Sequence, residues 1–144
     1  MANNDFEQIN VHLTTKVCLD NEVEEFSFDT LGQLIVKNEA VYIRYTETLP
    51  DQPQVHVTFK FDPNGSIRLM RSGDVKTVMT FVDSKEVPAS YETPSGRMTM
   101  ATRTTLLATA LDTANLRGET AIDYILTANE QLIGQYEIRL QFNA

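Results

Sequence analysis

Residues 55–69 read Val55-His56-Val57-Thr58-Phe59-Lys60-Phe61-Asp62-Pro63-Asn64-Gly65-Ser66-Ile67-Arg68-Leu69. In the first seven, Val55, Val57, Phe59 and Phe61 fall on one side of an extended chain, with His56, Thr58 and Lys60 on the other. Strict alternation marks a strand with one buried and one solvated face, and such strands pair antiparallel. A two-residue loop of Pro63 and Asn64 would set Phe59 against Arg68 and Lys60 against Ile67, mixing core with solvent at every pair. A three-residue loop closing on Gly65 instead sets Phe59 against Leu69, Phe61 against Ile67 and Lys60 against Arg68. Gly65 also supplies the left-handed residue such a loop requires. The same test on the next turn selects Ser72-Gly73-Asp74 as the loop and pairs Leu69 with Thr77 and Ile67 with Met79. Odd-numbered residues in this region therefore point inward.

The pattern extends along the chain in both directions. Leu132, Tyr136, Ile138, Leu140 and Phe142 oppose Gln135, Glu137, Arg139 and Gln141, and Ile9, Val11, Leu13, Val17 and Leu19 oppose Asn10, His12, Thr14 and Lys16. Further turn signals stand at Pro94-Ser95-Gly96, Arg117-Gly118 and Asn129-Glu130. Residues 104–114 are helix-compatible through Leu106, Leu107, Ala110 and Leu111. Their threonines and the alternation beside them favour a long strand, with a short helix as the alternative. Eight to ten strands joined by tight turns predict an all-β fold, a single antiparallel up-and-down barrel that takes residues 1–144 as one domain. Closure would remove the exposed edges.

Hydrophobic residues at 42% and charged residues at 22% are those of a globular chain. Twelve Lys and Arg against twenty Asp and Glu leave a formal charge of −8. Binding phosphate backbones or anionic lipid takes clustered cations, so neither nucleic acid nor membrane is expected as a partner. The imbalance is concentrated in residues 1–39, with eight acids and two bases, whereas residues 40–103 carry eight bases and seven acids. Cys18 is the single cysteine, which excludes an intrachain disulfide. With an N-terminus that lacks a basic start and an apolar run, this predicts a cytoplasmic protein. His12 and His56 are the only histidines, and neither has an acidic cluster at ligand spacing. No glycine-rich phosphate loop, nucleophile elbow or Ser/His/Asp set is present. Neither a metal, a cofactor nor a catalytic residue is expected, and the protein reads as non-enzymatic.

Following the inward phase places several polar side chains inside: Arg71, Thr77 and Tyr91, with Tyr45 and Glu47 from the preceding strand. After Pro94 the phase shifts, and Met98, Met100, Thr102 and Thr104 take the interior. Further on Ile122, Tyr124 and Leu126 face inward, with Tyr124 opposite Tyr136. Buried polar groups need partners, which are one another, ordered water or a ligand. The candidate ligand site is therefore Arg71, Tyr91, Tyr45, Thr102, Tyr124, Tyr136, Met98 and Met100. Arg71 suits an anionic head group such as a carboxylate, and the methionines adapt to an apolar body. In the alternative reading Arg71 pairs with Glu47 and the tyrosines fill the core. The protein is then an interaction or scaffold protein working through its acidic surface (Asp20, Glu22, Glu24, Glu25 and Asp29) or as a homodimer. Glu47 with Arg71, or Glu92 with Arg97, would offer acid–base chemistry only with a nucleophile or metal beside them. Glu92 with Arg97 is more simply a cross-strand pair.

From Ile67 to Thr102 the chain resembles a known family. The matching pieces are Lys60, then residues 67–73 (Ile-Arg-Leu-Met-Arg-Ser-Gly), Met79-Thr80-Phe81, residues 91–96 (Tyr-Glu-Thr-Pro-Ser-Gly), residues 98–102 and Tyr124-Ile125-Leu126. In order and spacing they are similar to the YwiB-like family of bacterial proteins, a domain of unknown function (number 1934). The resemblance implies a calycin-like β-barrel, the broad architecture of lipocalins and fatty-acid-binding proteins, in a bacterial cytoplasmic protein. It supplies no activity and no site residues.

Overall fold

A computed structural model describes residues 6–48 and 50–144. Ten strands follow one another: β1 (Phe6–Leu19), β2 (Glu22–Lys37), β3 (Ala40–Glu47), β4 (Val55–Phe61), β5 (Ile67–Ser72), β6 (Lys76–Phe81), β7 (Glu86–Thr93), β8 (Gly96–Asp112), β9 (Arg117–Ala128) and β10 (Gln131–Asn143). Each pairs antiparallel with its neighbours in sequence, and β1 pairs with β10, so the meander closes into a barrel. Among the described residues no helix is long and apolar enough to cross a membrane.

The turns explain why the strands hand over where they do. Asp20-Asn21, Asn38-Glu39 and Asn129-Glu130 each place two consecutive residues at positive φ. That is the two-residue hairpin whose twist matches the flanking strands, and Asn and Asp tolerate its left-handed positions. The β4–β5 loop is the three-residue one read from the sequence. Gly65 lies at φ 96°, the Asp62 amide donates to the Ser66 carbonyl at 3.0 Å, and Phe59 faces Leu69, Phe61 faces Ile67 and Lys60 faces Arg68.

Four readings are corrected. The β5–β6 hairpin pairs Leu69 with Met79, Ile67 with Phe81 and Arg71 with Thr77, a slip of two residues from the expected register. A two-residue slip leaves every side chain on its own face, so alternation cannot detect it. The turn before β9 is residues 113–116 rather than Arg117-Gly118, with Leu116 at φ 52° and its amide on the Thr113 carbonyl. A bulge between Leu132 and Gly134 sets Leu132 opposite Thr127, and Leu132 is exposed rather than inward. Leu19 is exposed too, since β1 pairs with β10 only as far as Cys18.

Residues 104–114 are strand for most of their length, and their helix-like spacing has a cause. The β8–β9 register shifts between Thr104 and Leu106. From Met100 to Thr104 the even residues are inside; beyond it Leu107 and Leu111 pack on the core and Leu106 is exposed. The barrel interior is filled by Phe59, Phe61, Phe81, Ile43, Ile67, Ile122, Leu140 and Phe142, all buried, and Leu116 packs against them from its turn. This apolar packing occupies one end of the barrel. At the other end, towards the β5–β6 and β7–β8 turns, stand the inward Tyr45, Glu47, Arg71, Thr77 and Tyr91.

Candidate ligand site

At that second end the register lines up Tyr45 with Val57, Val57 with Arg71, Arg71 with Thr77, Thr77 with Tyr91 and Tyr91 with Met98 across β3 to β8. On the opposite wall Thr104 faces Tyr124, and Tyr124 faces Tyr136. The rings of Tyr124 and Tyr136 stack with centroids 4.9 Å apart, and Phe81 tilts against Tyr124 at 4.8 Å. Tyr136 also lies close over Gly134, where an added Cβ would come within 3.1 Å of its ring. Phe28 meets Tyr45 edge-on at 5.7 Å.

Arg71 is held by Glu47 at both of its terminal nitrogens. Nη1 donates to Oε2 at 3.0 Å and Nη2 to Oε1 at 2.7 Å. Burial opposes the guanidinium charge, but the Glu47 hydrogen bonds and charge, with Tyr45 and Tyr91 nearby, outweigh it and raise the Arg71 pKa. Burial, with the Glu47 charge added, pushes the Tyr45 phenol well above its ordinary pKa against the opposing pull of Arg71. Burial also raises Tyr124, reinforced by Tyr136 and Tyr91 and opposed by Arg71, and it raises Tyr136, with Tyr91 contributing. Tyr45, Tyr124 and Tyr136 therefore share one electrostatic neighbourhood with the ion pair, in which burial favours their neutral phenols.

Among the described residues three buried hydroxyls in the barrel have no hydrogen-bond partner: Tyr45 Oη, Thr102 Oγ1 and Thr104 Oγ1. Thr102 and Thr104 are 0% and 1% exposed. By contrast the buried Thr120 is satisfied, with Thr109 Oγ1 at 2.8 Å and the Ala108 carbonyl at 3.2 Å. A buried hydroxyl without a partner costs about 1–3 kcal/mol.

Of the eight residues expected to line a site, seven are inside. Tyr45, Met100, Thr102 and Tyr124 are buried, and Arg71, Tyr91 and Tyr136 are half-buried at the mouth. Met98 is the correction. It is 49% exposed, because β8 begins before β9 is there to cover it and their pairing starts only at Ala101. Arg71 does not stand free for an anion, since Glu47 already occupies it. Of four cavities of about 300 to 640 Å³, none is lined by Arg71, Tyr91, Thr102, Tyr124 or Tyr136, and the one of about 640 Å³ reaches the candidate residues at Tyr45 alone. The cavity of about 640 Å³ is an outer groove where β2 parts from β3, lined by Gln33, Arg44, Thr46, His56 and Thr58, with Leu31 at its side. Sequence reasoning missed this groove. Its signal was the mismatch in strand length, since β1 and β2 run 14 and 16 residues beside a β3 of 8 and a β4 of 7.

Fold and mouth together define a closed ten-stranded up-and-down β-barrel with the Glu47–Arg71 ion pair at one end. The chain belongs to the family described as "Domain of unknown function (DUF1934)", whose model matches residues 11–140. It is 30% identical over 115 residues to the "Uncharacterized beta-barrel protein YwiB" of Bacillus subtilis (strain 168), covering 80% of each chain. The crystal structure of that ywiB protein superposes with a TM-score of 0.83 at 25% identity, over 96% of this chain and 92% of the other.

Proposed function

We propose that the protein is a non-catalytic, cytoplasmic, calycin-like barrel that binds one small, partly apolar ligand at the Arg71 mouth. The observation that carries this reading is the set of partnerless hydroxyls on Tyr45, Thr102 and Thr104, placed on β3 and β8 across the barrel from one another. Ligand sites combine apolar walls with a few placed donors and acceptors, and the half-buried Tyr91, Tyr136 and Arg71 supply such groups beside Met100. The Glu47–Arg71 pair narrows the ligand class. A bare carboxylate would have to displace Glu47, whereas a head group offering both a donor and an acceptor can join the pair without breaking it.

Native mass spectrometry of the purified protein against its denatured mass tests the reading. Extra mass that is lost on denaturation, and reduced in Thr102→Val, is the expected result. A bare native mass, together with no thermal stabilisation by a panel of amphiphilic zwitterions and amides, would overturn it.

A second reading, a filled barrel acting through its surface, is favoured by the absence of Arg71, Tyr91, Thr102, Tyr124 and Tyr136 from the linings of the cavities described. A protein of that kind needs no open interior, and its acidic first hairpin is the natural contact.

A further inference from the structure

β1 and β2 run side by side up to the Asp20-Asn21 turn, but β2 pairs with β3 only from Gly32 to Lys37. Among the described residues, 22–31 therefore have β1 on one side and no strand on the other. In an antiparallel ladder every second residue of such a segment turns both its N–H and its C=O to the open side. The segment is longer than an ordinary strand of ~5–6 residues. Proteins blunt free edges with charged side chains, lysine above all, or with proline, a bulge or shortness. Residues 22–31 contain neither lysine nor proline, and the ladder to β1 is unbroken from Glu22 to Ile35. Val23, Phe26 and Leu31 on it are 58%, 55% and 60% exposed.

Charge selects the occupant. The segment carries Glu22, Glu24, Glu25 and Asp29, with Asp20 beside it and no base. Glu25 has Lys16 at 3.9 Å and Asp29 has His12 at 2.6 Å, both from β1. A second copy laid edge to edge about a twofold axis would bring acid against acid along the ladder, which is destabilising. A foreign strand carrying Lys or Arg between apolar residues meets opposite charges and exposed apolar side chains instead.

We infer that residues 22–31 are a docking edge for an extended, basic, partly apolar segment of another protein, which adds to the barrel as a strand beside β2. Main-chain hydrogen bonds supply affinity in this mode and alternate side chains supply specificity. The register ends at Gly32, where β3 takes over the pairing.

The test uses isotope-labelled protein and an alternating Lys-Val peptide the length of the edge. Two control peptides carry Glu in place of Lys, or proline at every second position. Amide shifts confined to residues 22–31 and their β1 partners are expected. Affinity should fall at least tenfold with the proline peptide, with the Glu peptide, and with the exposed variant Glu22→Lys/Glu24→Lys, whose thermal midpoint serves as the folding control. No binding of the Lys-Val peptide, shifts mapping elsewhere, or equal binding of the proline peptide would each overturn the inference. So would a dimer in sedimentation equilibrium that buries residues 22–31.

Discussion

Removing one partner of the Glu47–Arg71 pair exposes how the polar end of the barrel is held. The contact is bidentate, and the Glu47 and Arg71 side chains are 13% and 33% exposed, so the pair lies between the surface and buried cases. Exposed pairs contribute about 0–1 kcal/mol, and breaking a buried one costs about 3–5. Arg71→Met leaves a nearly buried carboxylate uncompensated and should cost about 2–3 kcal/mol on that scale. Glu47→Leu leaves a guanidinium that can reach water and should cost about 2 kcal/mol. The double variant has no charge to desolvate and should fall within about 1 kcal/mol of the parent. The coupling is therefore about 4 kcal/mol, well beyond the ~0.3–0.5 kcal/mol scatter of independent sites. Urea unfolding measures it, since a loss of 2–3 kcal/mol moves the midpoint by about 1 M or more for a chain of this size. Additive single and double variants would refute the reasoning. The two groups would then be solvated neighbours, and Arg71 would be free to take an anion after all.

Three further outcomes follow from the same residues. Tyr45 and Tyr124 are held neutral by burial, while the unfolded chain releases those protons near about pH 10. Their contribution is thus complete below that pH and falls above it, by about 1.4 kcal/mol per pH unit for each, or about 2.7 for both. Urea midpoints between about pH 9 and 11 should show this slope, and Tyr45→Phe/Tyr124→Phe should flatten it; an unchanged slope in the variant sinks the account. Thr102→Val keeps the shape and removes a partnerless hydroxyl, so the ligand-free protein should gain about 1 kcal/mol in chemical unfolding, whereas a loss would mean that the hydroxyl is bonded. Gly32→Ala places a Cβ 2.7 Å from the Arg44 carbonyl and 2.8 Å from Val11 Cγ2, and should destabilise by about 1–3 kcal/mol. A calorimetric midpoint equal to that of the parent would show that β2 can shift away from β3 without penalty.

The barrel was readable because its central strands obey one rule at a time. In residues 55–69 the alternation and the turn chemistry of Gly65 agree, and only one register satisfies both. The β5–β6 hairpin lacks that agreement. Its loop tolerates either of two registers that preserve the faces, and the choice falls to packing Phe81 against Ile67 and Met79 against Leu69, which no local pattern encodes. Bulges hid the rest. One extra residue near Thr105 turns a plain strand into apparent helical spacing, and another before Gly134 sends Leu132 outward. The polar interior was legible through phase alone, yet phase cannot say whether Arg71 meets a ligand or Glu47. That depends on strands β3 and β5, which lie on either side of β4, and on how closely the closed barrel brings them together.

The unpaired part of β2 and the polar mouth have a common origin. A barrel closes only where neighbouring strands overlap, and here the β1–β2 hairpin outruns β3 and β4 by roughly half its length. The excess length leaves residues 22–31 without a second neighbour, and the early end of β3 leaves Glu47 and Arg71 half-covered. Phe28 joins the two regions. It belongs to the unpaired segment, yet its ring meets Tyr45, whose phenol feels both Glu47 and Arg71. A strand added beside β2 would restrict Phe28 and with it the Tyr45 ring at the mouth. Whatever occupies the mouth must then alter the affinity of the edge by the same factor as the edge alters the mouth, since coupling free energies are reciprocal.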